Sequence, residues 1–425
     1  MKRSTVCGIQ MLAVLSAIVI LIPLLAVAGE PYRLGIVESF TGTGSLYSRH
    51  GKNGVELAVE EINRGGGFLG QHPITIFTRD DQVKPDVGVR GATDLIIREK
   101  VNCIISAHSS AIALGVEEVT YQYKVLQITA NSNSESMTCQ NYSPYFFQVT
   151  PSTYMESNGR AIGLMKVAKE KRWKNYVVIA ANYEWGHNDA DNFIKQAGKL
   201  YPEFKLIDQY WPKFGETDYT SYITAIMGKK PDFVYGVLSS MDNFAFIRQA
   251  KSYGFFEKFP YTSLLTVAEL QELKNEIPRG LYAVCRAPFF ANLNNPIMVE
   301  MVKNYRSKFN EYPSDYSCMH YDAVYALKAA IEKAGTIDNE KVKVAMKGMT
   351  FDTTRGRLSF RRIDNQLVCP SYLGQIADDR AYPFPILKDI VVIPGDQTIR
   401  PESEYPELRE KAELSKKRKP EDLKF

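Results

Sequence analysis

The chain has 425 residues, 45% of them hydrophobic and 12% aromatic, which is more than one ordinary core holds and enough to bury two. That content excludes a disordered chain, and a formal net charge of only +4, with the basic residues scattered, argues against a nucleic-acid partner. The six cysteines form no CxxC pair and no zinc-like spacing, so neither a metal site nor another cofactor is expected.

The N-terminus reads as an export signal. Lys2 and Arg3 precede an apolar run over residues 11–25, and Ala26-Val27-Ala28 offers a small-residue cleavage site. The mature chain is then expected to begin near Gly29, in the periplasm. About twenty apolar residues would also suffice for an uncleaved anchor; the Ala-x-Ala ending favours cleavage. Cys7 precedes the apolar run, whereas a lipoprotein anchor needs its cysteine after it. Cys103, Cys139, Cys285, Cys318 and Cys369 remain, an odd number that leaves at least one thiol unpaired even where export permits disulfides.

From Tyr32 onward, short β-rich runs alternate with helical periods. RLGIV, ITIF, NCII and VLQIT read as strands, and Val55, Ala58, Val59 and Ile62 recur at helical spacing after the first of them. Repetition of strand, helix and strand implies a parallel sheet with right-handed crossovers. A second series follows Thr150-Pro151, with strands YVVIA, KLIDQY, DFVYGVL and YTSLL and a helix running through Phe244, Ile247 and Arg248 to Tyr253. Two similar α/β lobes are therefore expected. LYAVCRAPFF, helices near residues 296–309 and 321–334, and late strands RLSF and YLGQI imply that the chain crosses between lobes more than once. The tail after Pro401 is polar, and its cluster Lys416-Lys417-Arg418-Lys419 reads as solvated.

In open parallel sheets, ligands lie beyond the C-terminal ends of the strands. The unusual polar residues collect there: Glu38-Ser39, Asp80-Asp81, His108-Ser109-Ser110 and Asn131-Ser132-Asn133 in the first lobe, residues 182–187 and Ser239-Ser240 in the second. Turn and cap chemistry explains any one of them; their convergence points to a cleft. Ala-His-Ser-Ser-Ala lacks the glycines of a G-x-S-x-G nucleophile elbow, no downstream Asp and His follow in the expected order, and the five histidines form no ligand pair. Gly65-Gly66-Gly67 is not a phosphate loop, since no Gly-Lys-Ser/Thr follows it. A hydrolase or amidase remains the alternative from another class. Ser109, Ser110 and Ala111 instead open a helix whose first N–H groups lack internal partners, a site that holds a carboxylate without catalysis.

IVESFTGTGSLYSRHGKNGVELAVEEIN, GGGFLG, ITIFTRDD, ISAHSSAIALGV, VLQITANSNSESMT, NYEWGHN and DFVYGVLSSMDNFAFIRQAKSYG occur in this order. The set resembles the type I periplasmic solute-binding proteins, specifically the branched-chain amino-acid (leucine-binding protein-like) receptors of ABC importers, over residues 31–376. The resemblance implies two Rossmann-like lobes joined by three crossings near residues 149–152, 284–288 and 357–360. Lobe I would comprise residues 29–150 and 285–358, lobe II residues 151–284 and 359–400, with a leader over 1–28 and a polar tail over 401–425. It further implies a monomer that closes on a small ligand and delivers it to a membrane permease; a sensory module feeding a signalling partner is the alternative within the fold.

Carried over, Ser109 and Ser110 fall on the family's carboxylate-binding serine loop. Asn131 and Asn133 fall on ligand-contacting positions, Tyr47 on a cleft tyrosine, Trp185 on a second-lobe aromatic and Tyr316 on an aromatic of the side-chain pocket. The acid and tyrosine that hold an amino acid's ammonium fall on Leu265 and near Ser239, and neither neutralises a cation. A ligand without an α-amino group is therefore expected, favourably an aromatic or apolar carboxylate, with His108, His187 and Arg49 as further donors. Glu184 or Asp242 would be the substitute acid of a true amino-acid receptor.

Overall fold

The computed structural model describes residues 29–412 and Arg418. The expected leader, and Lys416, Lys417 and Lys419 of the basic cluster, lie outside the described residues. Strands β1 (Tyr32–Glu38), β2 (Ile74–Asp80), β3 (Cys103–Ser106), β4 (Leu126–Thr129) and β5 (Phe146–Gln148) form a parallel sheet in the order β2-β1-β3-β4-β5. Helices α1 (Ser45–Arg64), α2 (Pro85–Ile97) and α3 (Ser110–Tyr123) cross between them. β3 and β4 are buried at every residue, as befits strands covered on both faces. Val55, Ala58, Val59 and Ile62 are the buried stripe of α1, as their spacing predicts.

The second lobe takes α4 (Thr153–Lys171), β6 (Asn175–Ala180), α5 (Glu184–Leu200), β7 (Lys205–Tyr210), α6 (Thr220–Lys229), β8 (Phe233–Val237), α7 (Ser240–Ser252), β9 (Tyr261–Leu264), α8 (Val267–Leu273) and β10 (Tyr282–Cys285). The chain then returns as α9 (Pro296–Phe309), α10 (Asp315–Ala334) and α11 (Asn339–Met346), with α10 packed along α1. That packing needs a glycine: a Cβ on Gly54 would stand 2.2 Å from the carbonyl oxygen of Ser317. A hairpin of β11 (Thr350–Thr353) and β12 (Gly356–Ser359) precedes the last passage. β13 (Ser371–Ala377) and β14 (Ile386–Ile393) complete the larger sheet in the order β14-β13-β10-β9-β8-β6-β7. These two run antiparallel to their neighbours, so the second sheet is mixed rather than wholly parallel.

All five described cysteines are buried free thiols. No described helix is long and apolar enough to cross a membrane, and the described residues contain no cluster of metal-ligating side chains. The solvated reading of the basic tail fails at Arg418. Its guanidinium lies 3.9 Å from the centre of the Tyr121 ring, donates to Glu118 at 3.2 Å and stands 3.5 Å from the buried Glu117. The approach to it is also packed: α12 (Tyr405–Glu410) places Arg409 against the carbonyl oxygens of Thr138, Cys139 and Ile363. A buried carboxylate on α3 draws in a cation from far along the chain, a pairing that charge counting along the tail does not reveal.

Candidate ligand-binding cleft

A cavity of about 240 Å³ lies between the lobes, where the C-terminal ends of β3, β4 and β9 and the segments that follow β6, β8 and β10 converge. Its first-lobe wall begins where β3 stops. His108 has its ring buried, which lowers its pKa and keeps the imidazole neutral, against the opposing charge of Glu38; Nδ1 has no hydrogen-bond partner among the described residues. Ser109 is the N-cap of α3 in extended conformation (φ −85°, ψ 130°), and its side chain takes no capping bond. Ser110 Oγ accepts from the backbone N–H of Ser134 at 3.2 Å. Asn131 donates to Glu38 at 3.3 Å and Asn133 to Glu156 at 2.9 Å, so both amides are fixed by buried carboxylates. Tyr47 and Tyr316 stack with ring centres 4.2 Å apart and planes at 25°.

The second-lobe wall is aromatic. Tyr183 lies 5.9 Å from Trp185 and 4.7 Å from Phe214, centre to centre. Trp185 is 4% exposed, and its indole N–H has no acceptor among the described residues. Gly186 allows α5 to start tightly against the end of β6, because a Cβ there would meet the carbonyl oxygen of Ala181 at 1.9 Å. Ser239 lines the cavity as the N-cap of α7. The next residue, Ser240, has φ 51°, a left-handed conformation rare outside glycine. Its N–H thereby donates across the cleft to the Tyr47 hydroxyl at 2.7 Å, and within its own lobe to Glu269 at 3.0 Å.

Of the residues singled out from sequence, Tyr47, His108, Ser109, Ser110, Asn131, Asn133, Trp185, Ser239 and Tyr316 line this one cavity. Leu265 does not: it is fully buried in the core, and Leu264 lines the cavity instead. β9 ends at Leu264, and a shift of one residue exchanges the two faces of a strand. Arg49 and His187 are also elsewhere. Arg49 lies in an open groove of about 590 Å³ and pairs with Glu311 at 2.9 Å. It is two residues from Tyr47 on α1, which turns it about 200° around the helix. His187 bonds Asn182 at 2.8 Å and stacks on Trp211 at 4.1 Å.

Neither substitute acid lines the cavity. Glu184 binds Ser134 and Ser136, and Asp242 accepts the Gly215 N–H at 3.1 Å with its pKa pushed up to about 6 by burial. Glu269 is consumed as well. It accepts from Tyr47 at 2.8 Å and from the backbone N–H of Thr266 at 2.7 Å, and burial pushes it up to about 7. No acidic side chain is among the described residues lining the cavity, and its single cation is Arg286. Sequence reasoning missed Arg286, Tyr183 and Phe214. The signal for Arg286 was a charged residue inside the apolar run LYAVCRAPFF, the same kind of interruption that marks His108 in IISAHSSA.

Besides the bond from Asn133 to Glu156, bonds on two sides of the cavity join the lobes. Tyr47–Glu269 and the bond from Ser240 Oγ to the Thr43 carbonyl (2.8 Å) lie on one side. Glu184 with Ser134 and Ser136, and Asn192 donating to Glu135 at 3.2 Å, form the other. The arrangement is that of a closed cleft.

Comparison with known proteins agrees with this geometry. The family model described as periplasmic binding protein matches residues 31–381. A leucine-, isoleucine-, valine-, threonine- and alanine-binding protein of Pseudomonas aeruginosa is 22% identical over 339 residues, covering 79% of this chain and 87% of that protein. A solute-binding protein of an ABC transporter from Rhodopseudomonas palustris BisB5, solved with 3,4-dihydroxybenzoic acid, superposes with a TM-score of 0.77 at 18% identity, over 88% of this chain and 99% of that one. A leucine-binding protein from Thermotoga maritima MSB8 superposes with a TM-score of 0.74 at 20% identity, over 86% and 99%.

Proposed function

Because the chain belongs to the periplasmic binding protein family, in its branched-chain amino-acid receptor group, we propose that it captures a small carboxylate lacking an α-amino group for an ABC importer. Aromatic acids are the favoured ligands. The observation that carries this reading is the cavity lining: Arg286, the Ser109–Ser110 helix start and neutral His108 among its polar groups, aromatic and apolar side chains elsewhere, and no carboxylate. An ammonium buried without a counter-charge costs roughly 3–5 kcal/mol, and at ~1.4 kcal/mol per tenfold this removes a hundredfold or more in affinity. A carboxylate at the start of α3 gains charge-assisted bonds of about 1.5–3 kcal/mol each. Flat rings stack on Tyr183, Trp185 and Tyr316, and a cavity of about 240 Å³ suits a compact ligand.

The mechanism follows from the two lobes. A ligand touching both walls stabilises the closed form in proportion to its differential affinity for closed over open, and the permease reads that form. Residues 1–28 act as a signal cleaved near Ala28, and the mature protein works as a periplasmic monomer without making or breaking a bond.

A second reading, an amino-acid receptor, is favoured by the similarity to the leucine-, isoleucine-, valine-, threonine- and alanine-binding protein of Pseudomonas aeruginosa. Thermal-shift and calorimetric screening of the mature protein separates the two. Benzoate-type acids are expected to bind at least tenfold more tightly than leucine, isoleucine or valine. A tight leucine complex overturns the proposal, and turnover of any acid or amide by the purified protein overturns the binding role itself.

A further inference from the structure

Arg286 sits where the second passage leaves β10 and turns toward the first lobe, and it is held from both ends. Buried Asp315, the first residue of α10, accepts the backbone N–H groups of Arg286 and Ala287, each at 2.7 Å. The guanidinium is fixed by Glu156 on α4, with Nε and Nη2 each donating at 3.1 Å. Nη1 donates to the Asn131 carbonyl at 3.1 Å. Arg286 is only 3% exposed, yet it borders the cavity. A guanidinium carries five N–H groups; protein acceptors take three here, leaving one N–H on each Nη without an acceptor among the described residues.

We infer that Arg286 is a specificity-determining residue of this cleft, offering those two N–H groups to an anionic oxygen of the ligand and so selecting acids over their neutral amides. The inference rests on the carboxylate reading given above.

Three features support it. The planar fork of arginine matches a carboxylate, whose charge-assisted bonds are about twice as strong as neutral ones. A buried arginine paired with a glutamate confers little stability beyond a well-packed apolar pair, so packing alone leaves the free donors unexplained. The acid end is also contiguous: Arg286 holds the carbonyl of Asn131, and Asn131 with His108 and Ser109 continues the wall to the start of α3.

The test compares benzoate with benzamide, and leucine with leucinamide, on the mature protein by calorimetry. Removing Arg286 alone would leave Glu156 buried without a cation, so the decisive variant is the double change Glu156→Gln with Arg286→Gln, accompanied by Arg286→Lys. Wild type is expected to prefer the acid over its amide at least tenfold. The double variant should lose most of that preference while still binding the amide, and Arg286→Lys should recover part of it. An unchanged acid-to-amide ratio in a folded double variant overturns the role of Arg286. A wild type that binds leucine and no aromatic acid overturns the functional reading instead, and the leucine–leucinamide ratio then judges Arg286 on its own.

Discussion

Tyr47→Phe isolates the energy of lobe closure. The Tyr47 hydroxyl, on the first-lobe helix α1, donates to Glu269 Oε1 at 2.8 Å and accepts from the Ser240 N–H at 2.7 Å, both on the second lobe. The substitution removes the oxygen and keeps the ring against Tyr316, so stacking and shape survive. Glu269 retains its bonds from Thr266 and Ser240, which spares it from isolation. Two bonds are lost; because the Ser240 N–H keeps Glu269 as its acceptor, the net loss is chiefly the bond to a charged acceptor, about 1.5–3 kcal/mol. Both bonds exist only when the lobes meet, so the whole amount is expected in closure: ligand affinity should fall roughly 10- to 150-fold at ~1.4 kcal/mol per tenfold. The thermal midpoint of the ligand-free protein should move little. Calorimetry at pH 8, where Glu269 is ionised, alongside thermal melts with and without ligand, measures both quantities. Unchanged affinity with a lowered ligand-free midpoint would refute the reasoning, because the bond would then contribute to folding and not to closure.

Ser109→Ala combined with Ser110→Ala should abolish ligand-induced thermal stabilisation; full stabilisation in that variant would place the carboxylate site elsewhere. Glu269 makes folding stability pH-dependent: burial raises its pKa to about 7 from 4.5, so the folded protein binds the proton more tightly than the unfolded chain does. Its contribution to stability should therefore be greatest at low pH and be lost as pH rises through about 7, and chemical denaturation between pH 5 and 8 should lose this part of the slope in Glu269→Gln. Arg418→Ala removes the cation beside buried Glu117, whose pKa burial already raises. A raised acid favours folding at low pH and opposes it at high pH, so chemical denaturation should show a larger loss of stability at pH 8 than at pH 5. Equal losses at the two pH values would rule out the pairing.

The two-lobe architecture was legible because its signals are local. Apolar runs set the strands, the period of Val55, Ala58, Val59 and Ile62 set a helix face, and a strand that turns polar announces the end at which ligands bind. IISAHSSA carries the strand and its polar end in eight residues. β14 was not legible: it is an edge strand with exposed positions and an interior Lys388-Asp389, so it lacks the buried pattern that marks its neighbours.

The character of the cavity was decided by tertiary structure. Leu264 rather than Leu265 faces it because the last residue of a strand and the one after it point oppositely. Glu184, Asp242 and Glu269 are acids close to the cleft in sequence terms, yet interlobe bonds and loop contacts take each of them out of the lining. Arg286 enters it because Asp315, Glu156 and Asn131, from three distant parts of the chain, fix where its guanidinium stands. Periodicity and turn chemistry depend on neighbours a few residues away and can be read along the chain. The charge a ligand meets depends on which buried groups already have partners, and those partners are assigned only when the lobes pack.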